Sequence, residues 1–359
     1  MRMIAHYPKS KKILCYLFFV ICSLLFITCS RRFEPEPLTL SVKQNLALLQ
    51  QDPQFVMYFN FKKMRETDFW KKFISDSIFN SEKSFGSFLN IFKNSTGASI
   101  SNGIDELYFS NSWIGDNAMV IKGTFDRNKV YDYIRSDSSY TNLSYPGGIT
   151  VYNQKPMHFY FYFRDDFTVC ASNYLKQIEN TFNIKDTSYG GLLTNQDAMK
   201  TIQNIKFKDN LWMMSGQKLF IRGIFENLAD INKTGKNKKL SPGGNDSLSA
   251  NDTTGEDTSR LTELYKKISA VSFSIKMSGA LDIVMQNECD DNNSAEDLKN
   301  KMEGVFALAK LSAQFSKKTP SAVTRILDRI NIKVYNNTLL LETKLDEQQI
   351  TDIRKQKVF

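Results

Sequence analysis

Histidine and cysteine are scarce in this chain. Its 359 residues include 2 His and 5 Cys. His6 and His158 are the two, so beyond the N-terminal segment a serine or cysteine triad would have to be built on His158 alone. No Gly-x-Ser-x-Gly elbow is present to expose a nucleophile. The cysteines are Cys15, Cys22, Cys29, Cys170 and Cys289. None forms a Cys-x-x-Cys pair, so neither a zinc knuckle nor a thioredoxin-like couple is indicated. Cys170 and Cys289 are read as two separate buried thiols, although an oxidising compartment would permit their pairing. The glycine pairs Gly147-Gly148, Gly190-Gly191 and Gly243-Gly244 lack the spacing of a phosphate-cradling loop. Glu288, Asp290 and Asp291 lack the Gly-punctuated order of a calcium loop and read as a solvated turn capping the next helix. Asp165-Asp166 reads as a hairpin turn. No pair of carboxylates is singled out for glycoside hydrolysis. The expectation is a protein with no catalytic constellation, no metal and no cofactor.

A concentrated positive charge is missing too. The formal net charge is +9, but Arg2, Lys9, Lys11 and Lys12 supply four of the nine. The remaining five are spread along the chain. Nucleic-acid recognition needs a basic stripe or patch, and none is visible. A weak attraction to anionic membrane surfaces is compatible with this balance.

What is present begins with Ile13 to Cys29, an apolar run behind the basic residues Lys9, Lys11 and Lys12. A charged n-region followed by a short apolar h-region is a secretory signal. The run is 17 residues long, short of the roughly 20 that a spanning helix needs. Leu25-Phe26-Ile27-Thr28-Cys29 resembles a bacterial lipobox, with Phe26 where Leu is usual and Thr28 where Gly, Ala or Ser is usual. The resemblance implies a lipid on Cys29, which becomes the mature N-terminus carrying fatty acyl chains of the palmitate type. An uncleaved signal anchor and an ordinary cleaved signal are the other readings. Each buried methylene adds about 0.8 kcal/mol, so several acyl chains hold a protein at a bilayer. The prolines of Arg31-Arg32-Phe33-Glu34-Pro35-Glu36-Pro37 favour a stiff, extended spacer.

From residue 38 onward the chain reads as α+β. Two similar units of mainly antiparallel sheet are expected, each with helices packed on one face. The domain reading is a signal peptide at 1–28, a lipidated tether at 29–37, a first unit at 38–188 and a second at 189–359. Short apolar runs such as Phe55-Val56-Met57-Tyr58-Phe59 mark strands, and apolar residues at i, i+3, i+4 spacing mark helices. The internal repeat rests on element order. Leu211–Met214 echoes the first strand, Ile268–Ser274 lies over Ile104–Ser110, and Leu281–Met285 over Met119–Gly123. Ile330–Asn336 lies over the strand ending at Asn153, with Val-Tyr-Asn recurring. Residues 232–259 are polar enough to be a disordered insertion. Asp246-Ser247-Leu248 and Asp252-Thr253-Thr254 resemble short O-glycosylation acceptors of the Bacteroidota, although ordinary linker composition explains them as well.

The most unusual local feature is His158-Phe159-Tyr160-Phe161-Tyr162-Phe163. Burial on both sides between layers is the plain account. The sharper one makes Tyr160 and Tyr162 one wall of a groove for a lipid, peptide or sugar. Lipobox, Pro-Glu spacer and duplicated α+β body together resemble the uncharacterised envelope lipoproteins of Bacteroidota and related bacteria. That resemblance implies a membrane-anchored, non-catalytic binding or scaffolding module with an envelope protein as partner and no nucleic acid. A periplasmic carrier of a lipid or other apolar ligand is the alternative. In that group an acidic run after the lipid cysteine marks export to the outer surface. Ser30-Arg31-Arg32 stands in its place here, so a periplasm-facing position is expected.

Overall fold

In the computed structural model, residues 33–74, 85–112, 115–185, 189–231, 265–315 and 322–355 are described. Cys29, with the whole signal, and the insertion at 232–259 lie outside the described residues. The first half of the chain supplies α1 (Leu40–Leu46), β1 (Phe55–Asn60), α2 (Phe61–Arg65), α3 (Asp68–Phe73), α4 (Phe85–Thr96), β2 (Ile104–Asn111), β3 (Asn117–Gly123) and α5 (Arg127–Ser136). It continues with β4 (Tyr140–Tyr145), β5 (Ile149–Gln154), β6 (Phe159–Phe163), β7 (Thr168–Ser172) and α6 (Leu175–Thr181). Next come α7 (Gln196–Asn204), β8 (Leu211–Ser215), α8 (Lys218–Ile231), β9 (Ile268–Met277), β10 (Leu281–Cys289) and α9 (Asn292–Phe315). The chain closes with α10 (Ala322–Leu327), β11 (Asn331–Tyr335), β12 (Thr338–Leu345) and α11 (Glu347–Lys355). The fold is α+β.

Local chemistry starts the helices where the chain turns out of a strand or loop. Side-chain oxygens of Thr39, Asn60, Thr67, Asp126 and Asn195 each accept from an N–H in the first turn of α1, α2, α3, α5 and α7, which satisfies donors a helix leaves open. Asp291 accepts from the Ser294 N–H at 2.7 Å at the start of α9. Asp165 accepts from the Phe167 N–H at 2.8 Å in the β6–β7 turn.

Among the described residues twelve strands form one antiparallel sheet in the order β11-β12-β10-β9-β8-β1-β2-β3-β7-β6-β5-β4. The two sheet units join through β1 and β8, which pair from Val56↔Met214 to Phe59↔Leu211. Outward from this central pair the order is β1-β2-β3-β7-β6 in one direction and β8-β9-β10-β12-β11 in the other. The β4–β5 hairpin is an addition at one edge. Ile330–Asn336, expected over the strand ending at Asn153, therefore stands where β6 stands, one strand further in than expected. The Val-Tyr-Asn recurrence does not mark equivalent strands.

Strand alternation divides the sheet into two faces. The front carries Met57, Phe59, Leu107, Phe109, Met119, Ile121 and Phe161, and continues through Met213, Phe273, Met285 and Leu341. Helices α2 to α5, α8, α9 and α11 contribute apolar side chains to the clusters on this side, including Phe61, Trp70, Phe92, Val130, Leu298 and Ile350. The back face of the first half is also helix-covered. Val42 and Leu46 of α1, Ile178 of α6, and Met199 and Ile202 of α7 pack with Tyr58, Tyr108, Val120, Tyr162 and Cys170. Residues 190–205 thus lie across the expected boundary at 188/189 and pack on the first half. Gly191 fixes part of this arrangement. Its φ is +48°, and a Cβ there would fall on the carbonyl oxygens of Ala47 and Leu49.

The aromatic strand is buried from both sides. Phe159 and Phe161 face front at 5% and 3% exposure, and Tyr162 faces back at 3%. Cys170 and Cys289 are free, buried thiols in different clusters. Burial pushes both thiols up to about 12, so neither is a reactive thiolate.

The expected spacer is not wholly free of the body. The Glu36 N–H donates to the Lys206 carbonyl at 3.0 Å, and the Glu36 carboxylate accepts from the Lys208 N–H at 2.6 Å and from Lys276 Nζ at 3.2 Å. Lys208, itself 5% exposed, donates from Nζ to the carbonyls of Glu36, Gln203 and Ile205 at 2.6, 2.8 and 2.6 Å. It closes the C-terminus of α7 and fastens the incoming chain to it in one stroke. Burial pushes its ammonium down to about 8, against the opposing attraction of Glu36.

Candidate functional site: an apolar groove on the front face

On the front face, Met213, Phe273 and Met285 are consecutive partners across β8, β9 and β10. All three are only half-buried although they sit near the middle of the sheet. Helix α8 bounds them on one side with Phe220 and Ile224, and Val271 extends the floor. The result is an open groove of about 360 Å³ with an apolar lining. The Phe55 ring stacks against Phe220 at 6.1 Å and tilts on Phe109 at 5.6 Å, joining the groove to the core of the first half.

The position of α8 follows from the residues that precede it. Ser215 Oγ donates to the Gln54 carbonyl at 2.6 Å and accepts from the Gln217 N–H at 3.1 Å, which turns the chain off the sheet. Lys218 Nζ then donates to the carbonyls of Lys266 and Ile268 at 2.8 and 2.6 Å, tying the helix start to the entry of β9. Ile221 is fully buried, while Leu219 on the outer side is 55% exposed. The helix therefore lies along the sheet without covering Met213, Phe273 and Met285. Two methionines facing an aromatic give a floor that adapts to irregular apolar shapes.

Next to the groove stands Asn287. It is fully buried, and among the described residues it alone has both side-chain polar atoms, Oδ1 and Nδ2, without a partner. It faces Val271 directly across the ladder and lies two residues from Met285 on the same face of β10.

Tyr160 and Tyr162, expected as a groove wall, lie on the opposite face. The Tyr162 hydroxyl is 2.7 Å from Thr181 Oγ1, and its ring packs on Phe182. Tyr160 packs into the same back-face cluster. Burial raises the Tyr162 phenol well above its ordinary range. His158 is exposed in the turn before β6 with φ +48°. Among the described residues no group of three or more His, Cys, Asp or Glu side chains could hold a metal ion. No described helix is long and apolar enough to cross a membrane.

Two other polar constellations are internally satisfied. A hollow of about 330 Å³ beside α10 and α11 is lined by Arg325, Arg329, Asp346 and Asp352. There Arg325 pairs with Asp352 at 3.2 Å and Arg329 with Asp346 at 3.8 Å. On the back face Glu288 accepts from Thr201 Oγ1 at 3.1 Å, and burial raises its carboxyl above the usual range. A single such carboxyl, without a second acid or a cleft, is a packed polar contact.

The sequence did not point to Met213, Phe273 and Met285. Each is an ordinary alternate residue of its strand. Only the pairing of β8 with β9 and of β9 with β10 makes them neighbours.

No protein-family model matches the chain, and neither does any curated protein. Solved structures give distant likenesses. Crystal form I of the treponemal protein TP0453 aligns with a TM-score of 0.44 and 11% identity, over 87% of this chain and 96% of that one. Crystal form IV gives 0.43 and 10% over 88% and 95%, and form III gives 0.43 and 8% over 87% and 98%. A TM-score below 0.5 at such identity does not by itself establish a common fold.

Proposed function

We propose that this chain is a non-catalytic, membrane-anchored envelope lipoprotein whose working part is the apolar groove of Met213, Phe273, Met285, Phe220 and Ile224. The lipid on Cys29 fastens it to a bacterial membrane facing the periplasm, and the two-part sheet is the rigid body that presents the groove. The observation that carries the binding role is the half-buried apolar floor of Met213, Phe273 and Met285 near the middle of the sheet, bordered by Phe220 and Ile224.

Two occupants compete: an envelope protein and a small apolar ligand. The groove's size favours the ligand. About 360 Å³ falls in the range of small-molecule sites, roughly 300–1,000 Å³. A stable protein interface takes about 800 Å² from each partner, which a groove of this size supplies only in part. The chain is then a carrier or sensor of an apolar molecule rather than a scaffold.

The test uses N-phenylnaphthylamine, whose fluorescence rises in apolar surroundings. Saturable one-to-one binding to the mature protein, lost in Ile224→Asp with the fold retained by circular dichroism, is the expected result. Absence of saturable binding by the wild type removes the groove from the account. Separately, globomycin should block processing of the precursor, and Cys29→Ala should abolish it. Normal processing of that variant removes the lipid anchor.

A further inference from the structure

The groove does not explain Asn287. Buried polar groups are nearly always hydrogen-bonded, and a side chain with both polar atoms unpaired calls for a reason. Asn287 is fully buried, and neither its Oδ1 nor its Nδ2 has a partner. Its environment is otherwise apolar: Val271 and Leu339 are its partners in the ladder on either side, and both belong to the cluster that Ile221 and Leu298 close from the helices. An isosteric leucine would satisfy the packing with no unpaired atoms. Residues paired across an antiparallel ladder have Cβ atoms about 4.5–5.5 Å apart, which puts Asn287 directly behind the Val271 stretch of the groove lining.

We propose that Asn287 is the polar anchor of the groove and that its ligand is a single apolar chain ending in a group that both donates and accepts a hydrogen bond. A primary amide or a neutral carboxylic acid has that chemistry. Either can meet an asparagine side chain face to face, donating to Oδ1 and accepting from Nδ2. The chain would lie on Met213, Phe273 and Met285, with its head passing Val271 to reach Asn287. An ester offers only acceptors and leaves Oδ1 unpaired; an alkane leaves both atoms unpaired. Sites built around a buried hydrogen-bonding group discriminate on this ground. This inference rests on the groove being a ligand site.

The experiment is displacement of bound N-phenylnaphthylamine from the mature protein by dodecanamide, dodecanoic acid, methyl dodecanoate and dodecane in separate arms. Dodecanamide, dodecanoic acid or both should displace the probe at a concentration about tenfold below methyl dodecanoate, the value of one well-made hydrogen bond. Which of the two does so identifies the head group. Asn287→Leu should abolish that preference while raising the thermal midpoint, since it replaces unpaired atoms with apolar ones. Equal displacement by all four compounds overturns the role of Asn287 and leaves the groove standing. An unchanged preference in Asn287→Leu overturns it as well. Should the variant fail to fold, the wild-type comparison of amide with ester still decides. If none of the four displaces the probe, the groove reading itself falls.

Discussion

The two halves of the sheet use the same strand order and solve their back faces differently. In the first half, Tyr58, Tyr108, Val120, Cys170 and Tyr162 point back into a second apolar cluster covered by α1, α6 and α7. In the second half the same face alternates apolar Trp212, Met214, Val284 and Leu340 with polar Ser272, Ser274, Gln286 and Glu342. There the end of α7 docks by hydrogen bonds: Gln286 Nε2 donates to the Asn204 carbonyl at 2.9 Å, and Gln286 Oε1 accepts from the Lys206 N–H at 2.7 Å. Glu342 sits between Lys206 and Lys333. One strand order therefore supports a sheet apolar on both faces or a sheet with one face of mixed polarity, and the alternate residues decide which. On the front the contrast reverses. The first half is closed by four consecutive helices, whereas the second leaves the groove floor half-covered.

The comparison is broken most strongly at Tyr108, which is fully buried and donates to Glu106 at 2.7 Å. Tyr108→Ala should cost about 3–5 kcal/mol, as for other large aromatic truncations in cores. Ser274→Ala, on the same face in the other half, should cost under about 1 kcal/mol, the value of one ordinary hydrogen bond. Equal losses in chemical denaturation would show that the mixed face is as tightly packed as the apolar one.

The attachment of the incoming chain to the end of α7 depends on Lys208. Lys208→Met strands three carbonyls and should cost about 1–3 kcal/mol. The pH dependence has a fixed sign. The folded-state pKa of about 8 lies below the ordinary lysine value of 10.5, so between these the unfolded lysine binds more protons and Lys208 itself contributes a rise in stability with pH, opposed by the raised Cys170 and Cys289 thiols. Lys208→Met should remove that rise. A variant that keeps it would place its origin elsewhere.

The smallest expected effect is at Glu288, where burial raises the carboxyl. Folding then favours the protonated form, so its penalty is present above the raised folded-state pKa and is relieved as pH falls toward the unfolded value. Glu288→Gln should raise the thermal midpoint at pH 7 by a degree or two, corresponding to under about 1 kcal/mol, and the gain should vanish by pH 4. A gain unchanged at pH 4 would trace it to packing.

Much of the fold was legible in local pattern. Phe55–Phe59, Ile104–Ser110 and Met119–Gly123 read as strands because short apolar runs between turn residues have few other uses. The echo between halves was legible as element order. It misplaced Ile330–Asn336, because an added hairpin at an edge changes strand count without changing the pattern of any strand. The candidate site was less accessible. Tyr160 and Tyr162 stood out because aromatic runs are unusual, yet a run with apolar residues on both sides is what a doubly covered strand requires. Met213, Phe273 and Met285, in contrast, are unremarkable one by one.

Residue order alone determined the α+β class, the alternation that gives each strand two faces, and the side-chain caps at which helices start. Those properties depend on neighbours within a few positions. Only tertiary structure decided that the halves share one sheet through β1 and β8, that Glu36 is clamped by Lys208, and that three half-covered side chains from separate strands lie in line beside a buried asparagine. These depend on pairings between residues scores of positions apart, where packing and hydrogen-bond satisfaction choose among partners that local pattern leaves equivalent.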